Sequence, residues 1–214
     1  MFKDIYWVGG KGSQKEDNTE NTVISSPVGA RKDDNNVVDS VNNTIYFYSE
    51  VLRQKNLLLN KTLRNLETNL INQTNLLRSE NPSAIHLHIN SYGGSVFAGL
   101  SSVDVILNSK VPVYSYVEGC AASAATLMSV VAEKRFMHRN SFMLIHQLSG
   151  GMWGKFEEMK DSLENSTLLM DVLKKIYLEH TSIPKRKLNE ILKRDLWFDA
   201  EECLKYGLVD EIIG

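Results

Sequence analysis

The sequence predicts an α/β fold: period-two and period-3.6 apolar patterns alternate from Thr44 to the C-terminus, glycines punctuate the junctions, and no repeat interrupts the series. The chain has 214 residues, which suits one domain with a sizeable core. Residues from Gly9 to about Asn43 are rich in Asn, Asp, Lys, Ser and Gly and poor in large apolar side chains. Such a stretch buries too little surface to offset its ordering entropy, so 1–43 is expected to be a polar arm or loop. Val23-Ile24 and Val37-Val38 are its candidate strand edges. The folded domain is expected over 44–214.

Thr44-Ile45-Tyr46-Phe47-Tyr48 is aromatic and β-branched and reads as the first core strand. Leu59, Leu63, Leu66, Leu70 and Leu77 fall at helical spacing, and Asn81-Pro82 ends that helix. Ile85 to Ile89 alternates as a strand and runs into the turn Asn90-Ser91-Tyr92-Gly93-Gly94. A helix from Val96 to about Asn108 follows, with Leu100, Val103 and Leu107 as its expected face. Val111 to Val117 is a strand closed by Gly119, and Ala121 to Ala125 opens a small-residue helix. Phe142 to Ile145 is an apolar strand ending at His146. A long helix covers about Lys155 to His180, lined by Phe156, Met159, Leu163, Met170 and Leu173. Pro184 starts a short helix to about Lys193, and Leu208 to Ile213 is the last strand.

Composition removes several classes of function. A net charge of −2 gives no electrostatic case for nucleic acid, and Lys185-Arg186-Lys187 is the one dense basic run. Two cysteines, Cys120 and Cys203, make no disulfide framework and read as core residues of a reducing compartment. The N-terminus lacks a signal-peptide pattern and no apolar stretch is long enough to span a bilayer, so an intracellular location is expected.

Ser123 stands among four alanines where a strand meets a helix. A helix start offers free N–H groups that can hold an oxyanion, so a serine there suits attack on a carbonyl. Taken alone, the segment also reads as an N-cap serine in a tightly packed Ala-rich helix. His146, at the end of a strand in the same sheet, is the candidate base. Gly93-Gly94 sits where backbone approaches a ligand, but lacks the phosphate-loop and dinucleotide patterns, and an N–H there could be a second oxyanion donor. Asp195, Asp199 and Asp210 are candidate acids, and spacing does not separate them. His86 and His88 share a strand face without an evident third metal ligand, and His138 and His180 have no constellation.

Four segments, in order, resemble the proteolytic subunit of the ATP-dependent Clp protease: Ile89-Asn90-Ser91-Tyr92-Gly93-Gly94, Gly119-Cys120-Ala121-Ala122-Ser123-Ala124-Ala125, Leu144-Ile145-His146-Gln147, and Tyr206-Gly207-Leu208-Val209-Asp210. The resemblance covers about Thr44 to Gly214. It implies the ClpP/crotonase-type repeated β-β-α superhelical fold with a protruding handle helix, the handle being Lys155 to His180. It implies a serine endopeptidase with the triad Ser123, His146 and Asp195, with Asp199 as fallback acid. Oxyanion donors would be the N–H groups of Gly94 and Ala124. Extended peptide would pair with Ser95-Val96 on one side and Leu148-Ser149 on the other. No metal or organic cofactor is implied, and ATP would be used only by a partner AAA+ unfoldase, since this chain has no Walker motif. The resemblance further implies stacked seven-membered rings of identical subunits, polypeptide substrates, a cytoplasmic location, and neither nucleic acid nor membrane as partner.

Two departures from the family pattern are Tyr92, where proline precedes the paired glycines, and Leu148, where proline follows His-Gln. The Asn-rich N-terminal region is also atypical and fits an organellar or phage-borne variant, the latter acting in capsid maturation. Other classes compatible with parts of the sequence are a catalytically silent ring subunit, a crotonase-type acyl-CoA enzyme and a Ser–Lys signal-peptide-peptidase type.

Overall fold

The computed structural model describes residues 37–214, so most of the arm expected over 1–43, with its candidate strand edge Val23-Ile24, lies outside the described residues. The sheet starts earlier than the composition boundary at Thr44. Strand β1 (Val37–Val41) folds back antiparallel on β2 (Thr44–Tyr48) through a turn in which Asn42 takes a φ of 55°. Asparagine tolerates that left-handed conformation, which makes the hairpin possible without glycine. Helix α1 (Arg53–Leu77) buries Leu59, Leu63 and Leu70, as its spacing predicts, while Leu77 is exposed. Asn56 and Asn60 are buried beside them, donating hydrogen bonds to Ser102 and Ser101 of the next helix.

Strand β3 (Ile85–Ser91) lies parallel between β2 and β4 (Val113–Ala122). Ile45, Phe47, Ile85, Leu87, Ile89, Val113 and Val117 form the buried side of these strands. The opposite side carries Tyr46, Tyr48, His86, His88, Tyr114 and Tyr116, all half-exposed, as a period of two dictates. Helix α2 (Val96–Leu107) is where periodicity misleads. Leu107 is exposed, and the buried face is Val96, Ala98, Gly99, Ser102, Val103 and Ile106. Small residues win because α2 packs closely on α3 (Ala124–Val130): a Cβ on Gly99 would lie 3.2 Å from Ala124 O.

Strand β4 does not close before Gly119 but runs through it and divides. Tyr114–Val117 pairs in parallel with β5 (Lys134–His138), whereas Cys120–Ala122 pairs in parallel with β6 (Phe142–Leu144). Gly119, at φ 74°, stands at the fork, its N–H held by Ser141 Oγ at 2.8 Å. β5 has no apolar alternation strong enough to be read from sequence. After β6 an irregular segment leads into α4 (Phe156–His180). Only Leu173 and Tyr177 of α4 are buried, while Phe156, Met159 and Leu163 are exposed. The helix α5 (Lys185–Ile191), the two-residue strand β7 (Trp197–Phe198), the helix α6 (Ala200–Lys205) and β8 (Glu211–Ile213) complete the chain. β7 pairs antiparallel with β6, and β8 pairs in parallel with β5. The sheet order is therefore β1-β2-β3-β4-β5-β8, with β6 and β7 branching from the end of β4. No helix among the described residues is long and apolar enough to cross a membrane.

Candidate active site

Ser123 occupies the single residue between β4 and α3, with φ 62° and ψ −129°. A positive φ is uncommon for a residue with a Cβ and costs on the order of 1–3 kcal/mol. The surroundings impose it. Ser123 N–H donates to Leu144 O at 2.7 Å, extending the β4–β6 ladder by one bond. Its carbonyl accepts from Thr126 N–H at 3.0 Å and from Thr126 Oγ1 at 2.6 Å. Thr126 Oγ1 in turn meets the hydroxyl of Tyr177, fully buried in α4, so the elbow is braced from the handle helix. The four neighbouring alanines are buried and leave no side chain in the way.

The N-cap alternative does not hold. Ser123 makes no side-chain capping bond, and its Oγ is buried with no hydrogen-bond partner among the described residues. A buried hydroxyl left unpaired costs roughly 1–3 kcal/mol. Strain and an unpaired polar atom coincide at one residue, the combination expected of a group kept for chemistry.

The glycine pair packs directly on this serine. A Cβ on Gly93 would stand 2.6 Å from Ser123 Cβ and 2.9 Å from its Oγ, so only glycine fits. Gly94 has φ 146°, and a Cβ there would strike Val51 O at 2.5 Å. Val51 pins the turn: its N–H donates to Gly93 O at 2.8 Å, and its carbonyl accepts from Ser95 N–H at 2.7 Å. Gly93 N–H goes to Ser91 Oγ at 3.1 Å, and among the described residues the Gly94 N–H has no hydrogen-bond acceptor. Ala124, as first residue of α3, likewise has an N–H with no carbonyl one turn back to accept it.

Both backbone groups of Ser95 are engaged, its N–H with Val51 O and its carbonyl with Gly99 N–H at 3.0 Å. Its side chain caps α2 through Ala98 N–H. Ser95 thus serves as the cap of α2. Val96 begins α2 and retains an N–H without an intrahelical acceptor. On the other side, Leu148 N–H faces Met170 Sδ at 3.1 Å, and Leu148 and Ser149 lie half-buried in the irregular segment after β6.

His146 is two residues beyond β6 and almost fully buried, at 4 % exposure. The segment is fastened by Gln147 N–H to Leu192 O at 2.8 Å. The three candidate acids now separate. Asp195 Oδ1 lies 3.3 Å from His146 Nδ1. Asp199 caps α6, accepting from Glu202 N–H at 2.9 Å, and Asp210 is tied to Arg135. Burial holds the His146 imidazole below its ordinary pKa, and the Asp195 charge partly opposes that shift. The ring is thus neutral near pH 7. With Nδ1 turned to the carboxylate, Nε2 is the nitrogen able to accept a proton. The Asp195 side chain is 68 % exposed, so water screens its field.

The remaining titratable groups lie elsewhere. His88 Nδ1 and His138 Nε2 share Glu118 Oε1 at 2.6 and 3.3 Å, and Glu118 also takes the Tyr48 hydroxyl. His138, isolated in sequence, enters this cluster because β5 pairs with β4. His86 Nδ1 meets the Tyr116 hydroxyl at 2.9 Å. Among the described residues no group of three His, Cys, Asp or Glu side chains is placed to hold a metal ion. Both thiols are buried and pushed up, Cys203 to about 12, which makes neither a nucleophile. Sequence reasoning missed the supports of the site: Val51 behind the glycine turn, and Thr126 with Tyr177 behind the elbow. Thr126, three residues after the serine, was the one local signal.

The model of the Clp protease family matches residues 39–214. A protein of Deinococcus radiodurans named ATP-dependent Clp protease proteolytic subunit is 34 % identical over 170 residues, covering 78 % of this chain and 83 % of that one. One of the same name from Streptococcus mutans is 36 % identical over 172 residues, covering 78 % and 88 %. Among solved structures, a mutant ClpP1 from Listeria monocytogenes superposes with a TM-score of 0.69 at 28 % identity, covering 80 % of this chain and 91 % of that one. The mixed sheet with its flanking helices is therefore the ClpP fold, and the chain belongs to the Clp protease family and is a serine peptidase.

Proposed function

We propose that this chain cleaves peptide bonds with Ser123 as nucleophile, His146 as general base and acid, and Asp195 as the carboxylate that orients His146. In the first step His146 Nε2 takes the Ser123 hydroxyl proton while Oγ bonds to the scissile carbonyl carbon. The carbonyl oxygen becomes an oxyanion and is received by the N–H groups of Gly94 and Ala124. As the C–N bond breaks, His146 returns its proton to the leaving amine, and an ester to Ser123 remains. Water, deprotonated by His146, attacks that ester, and the acid product leaves with Ser123 restored. Every group the reaction uses comes from the protein and water. Proton transfer needs Oγ within roughly 2.6–3.2 Å of Nε2, a contact the resting serine does not hold and substrate must bring about.

The observation that carries this reading is the Ser123 elbow: a hydroxyl on positive-φ backbone, buried and without a hydrogen-bond partner among the described residues. The exposed apolar residues Phe156, Met159 and Leu163 of α4 support assembly of identical subunits through the handle, in stacked heptameric rings enclosing the sites. In that assembly the substrate is an unfolded polypeptide delivered by a separate AAA+ unfoldase in the cytoplasm, and short peptides enter unaided. The test is Ser123→Ala. It is expected to abolish cleavage of short peptides while leaving the thermal transition and assembly mass intact, and retained activity would refute the mechanism.

A further inference from the structure

Tyr92 directly precedes the glycine pair, and Trp197 is the second residue after Asp195. Their rings meet with centroids 6.5 Å apart at an interplanar angle of 82°. That is the edge-to-face arrangement in which one ring's positive edge meets the other's negative face. Tyr92 is 74 % exposed and Trp197 43 %, so core burial does not account for the placement of either.

Each ring is anchored in a different half of the site. Tyr92 leads into Gly93, which packs against Ser123 with no room for a Cβ. Trp197 pairs with Leu144 in the β6–β7 ladder, and Leu144 O receives the Ser123 N–H. The stretch carrying Asp195 is held on one side by the bond between Gln147 N–H and Leu192 O, and on the other by Trp197. Between those anchors Asp195 reaches His146 Nδ1 at 3.3 Å, longer than the roughly 2.7–2.9 Å of a strong charge-assisted bond. Small movements of Trp197 therefore change the one contact by which the carboxylate acts.

We propose that Tyr92 is a positioning residue: its edge contact with Trp197 ties the acid-bearing loop to the oxyanion turn and sets how closely Asp195 approaches His146. The proposal rests on Asp195 being the triad acid. The exposed pair offers a second use, as a platform for a substrate side chain, which the same experiment distinguishes.

The full-length assembled protein is compared with Tyr92→Ala, Tyr92→Phe, Asp195→Asn and the double variant Tyr92→Ala/Asp195→Asn. The substrates are fluorogenic peptides bearing Ala, Leu or Phe on the acyl side of the scissile bond, assayed from pH 5 to 9. Thermal unfolding confirms that each variant is folded, as expected for a change at an exposed ring. Tyr92→Ala is expected to lower kcat about five-fold, the scale of one aromatic pair, by the same factor for all three peptides and with KM within about twofold. Its acidic limb in kcat/KM shifts to lower pH, because a looser Asp195 raises the His146 pKa less. Tyr92→Phe restores both, and in the Asp195→Asn background the same truncation has no further effect. An unchanged kcat and acidic limb, a KM change confined to one peptide side chain, or a full five-fold loss in the double variant would each overturn the proposal. Asp195→Asn with full activity would instead remove the triad assignment beneath it.

Discussion

The two ends of the proposed triad are held in different ways. Ser123 is 2 % exposed and fixed through its backbone: its N–H donates to Leu144 O, its carbonyl accepts from Thr126, and the turn at Gly93 packs against it. Asp195 sits on a loop, is 68 % exposed at its side chain, and makes one ion pair at 3.3 Å. The nucleophile is positioned by secondary structure and close packing, the acid by the ends of a short loop. Rigidity is spent where attack geometry must be reproduced within fractions of an ångström. A carboxylate that orients and stabilises an imidazolium tolerates more slack.

That contrast sets an order of effects. Ser123→Ala removes the attacking atom and should lower kcat at least about 10⁴-fold, as read from steady-state peptide cleavage. Asp195→Asn should cost less, about 10³-fold, because water screens the exposed carboxylate that it neutralises. An equal loss in both would mean that the acid is as tightly integrated as the nucleophile and would erase the distinction drawn here. Gly94→Ala should cost on the order of 10²–10³-fold, since the added Cβ meets Val51 O at 2.5 Å and displaces the proposed oxyanion donor. Comparison of transition-state-analogue affinity with substrate KM checks that the loss lies in the transition state.

Smaller effects test the environment of the base. Burial lowers the His146 pKa, so kcat/KM should stay high as pH falls and decline with a midpoint below the ordinary imidazole value of 6.5. Asp195→Asn removes the field that raises it and should move that midpoint lower still, as the pH profile of the residual activity would record. The same depressed pKa also contributes to stability. That contribution is present above the unfolded imidazole value and is lost as pH falls through the folded one. The smallest effect belongs to Tyr177→Phe. Thr126 Oγ1 keeps its bond to Ser123 O, so denaturant unfolding should show about 1 kcal/mol lost and activity should change by less than about twofold.

The rigid half was also the more legible half. Gly93-Gly94, the alanine-flanked Ser123 and the strand leading to His146 are local patterns, and backbone geometry follows local sequence closely. The acid was not separable by spacing, because the choice among Asp195, Asp199 and Asp210 depends on which loop returns to His146. Tertiary structure brings Asp195, of the three, to His146 through the β6–β7 pairing and the bond from Gln147 to Leu192. Strand β5 escaped notice because Lys134–His138 carries too little alternation, and with it the meeting of His138 and Glu118. The face of α2 was legible at Val103 and at half-buried Leu100 but not at Leu107, because small residues such as Gly99 make its contact with α3. The sheet's first strand showed in a polar stretch only as Val37-Val38, since an edge strand with one neighbour needs few apolar residues.

The central claim, that Ser123 is the activated nucleophile, is tested most directly by reaction with a fluorophosphonate probe, with the adduct located by peptide mass mapping. The account predicts one adduct per subunit, on Ser123, lost in Ser123→Ala and strongly slowed in His146→Ala. An adduct on another residue, or none on a preparation that still cleaves peptides, would contradict it.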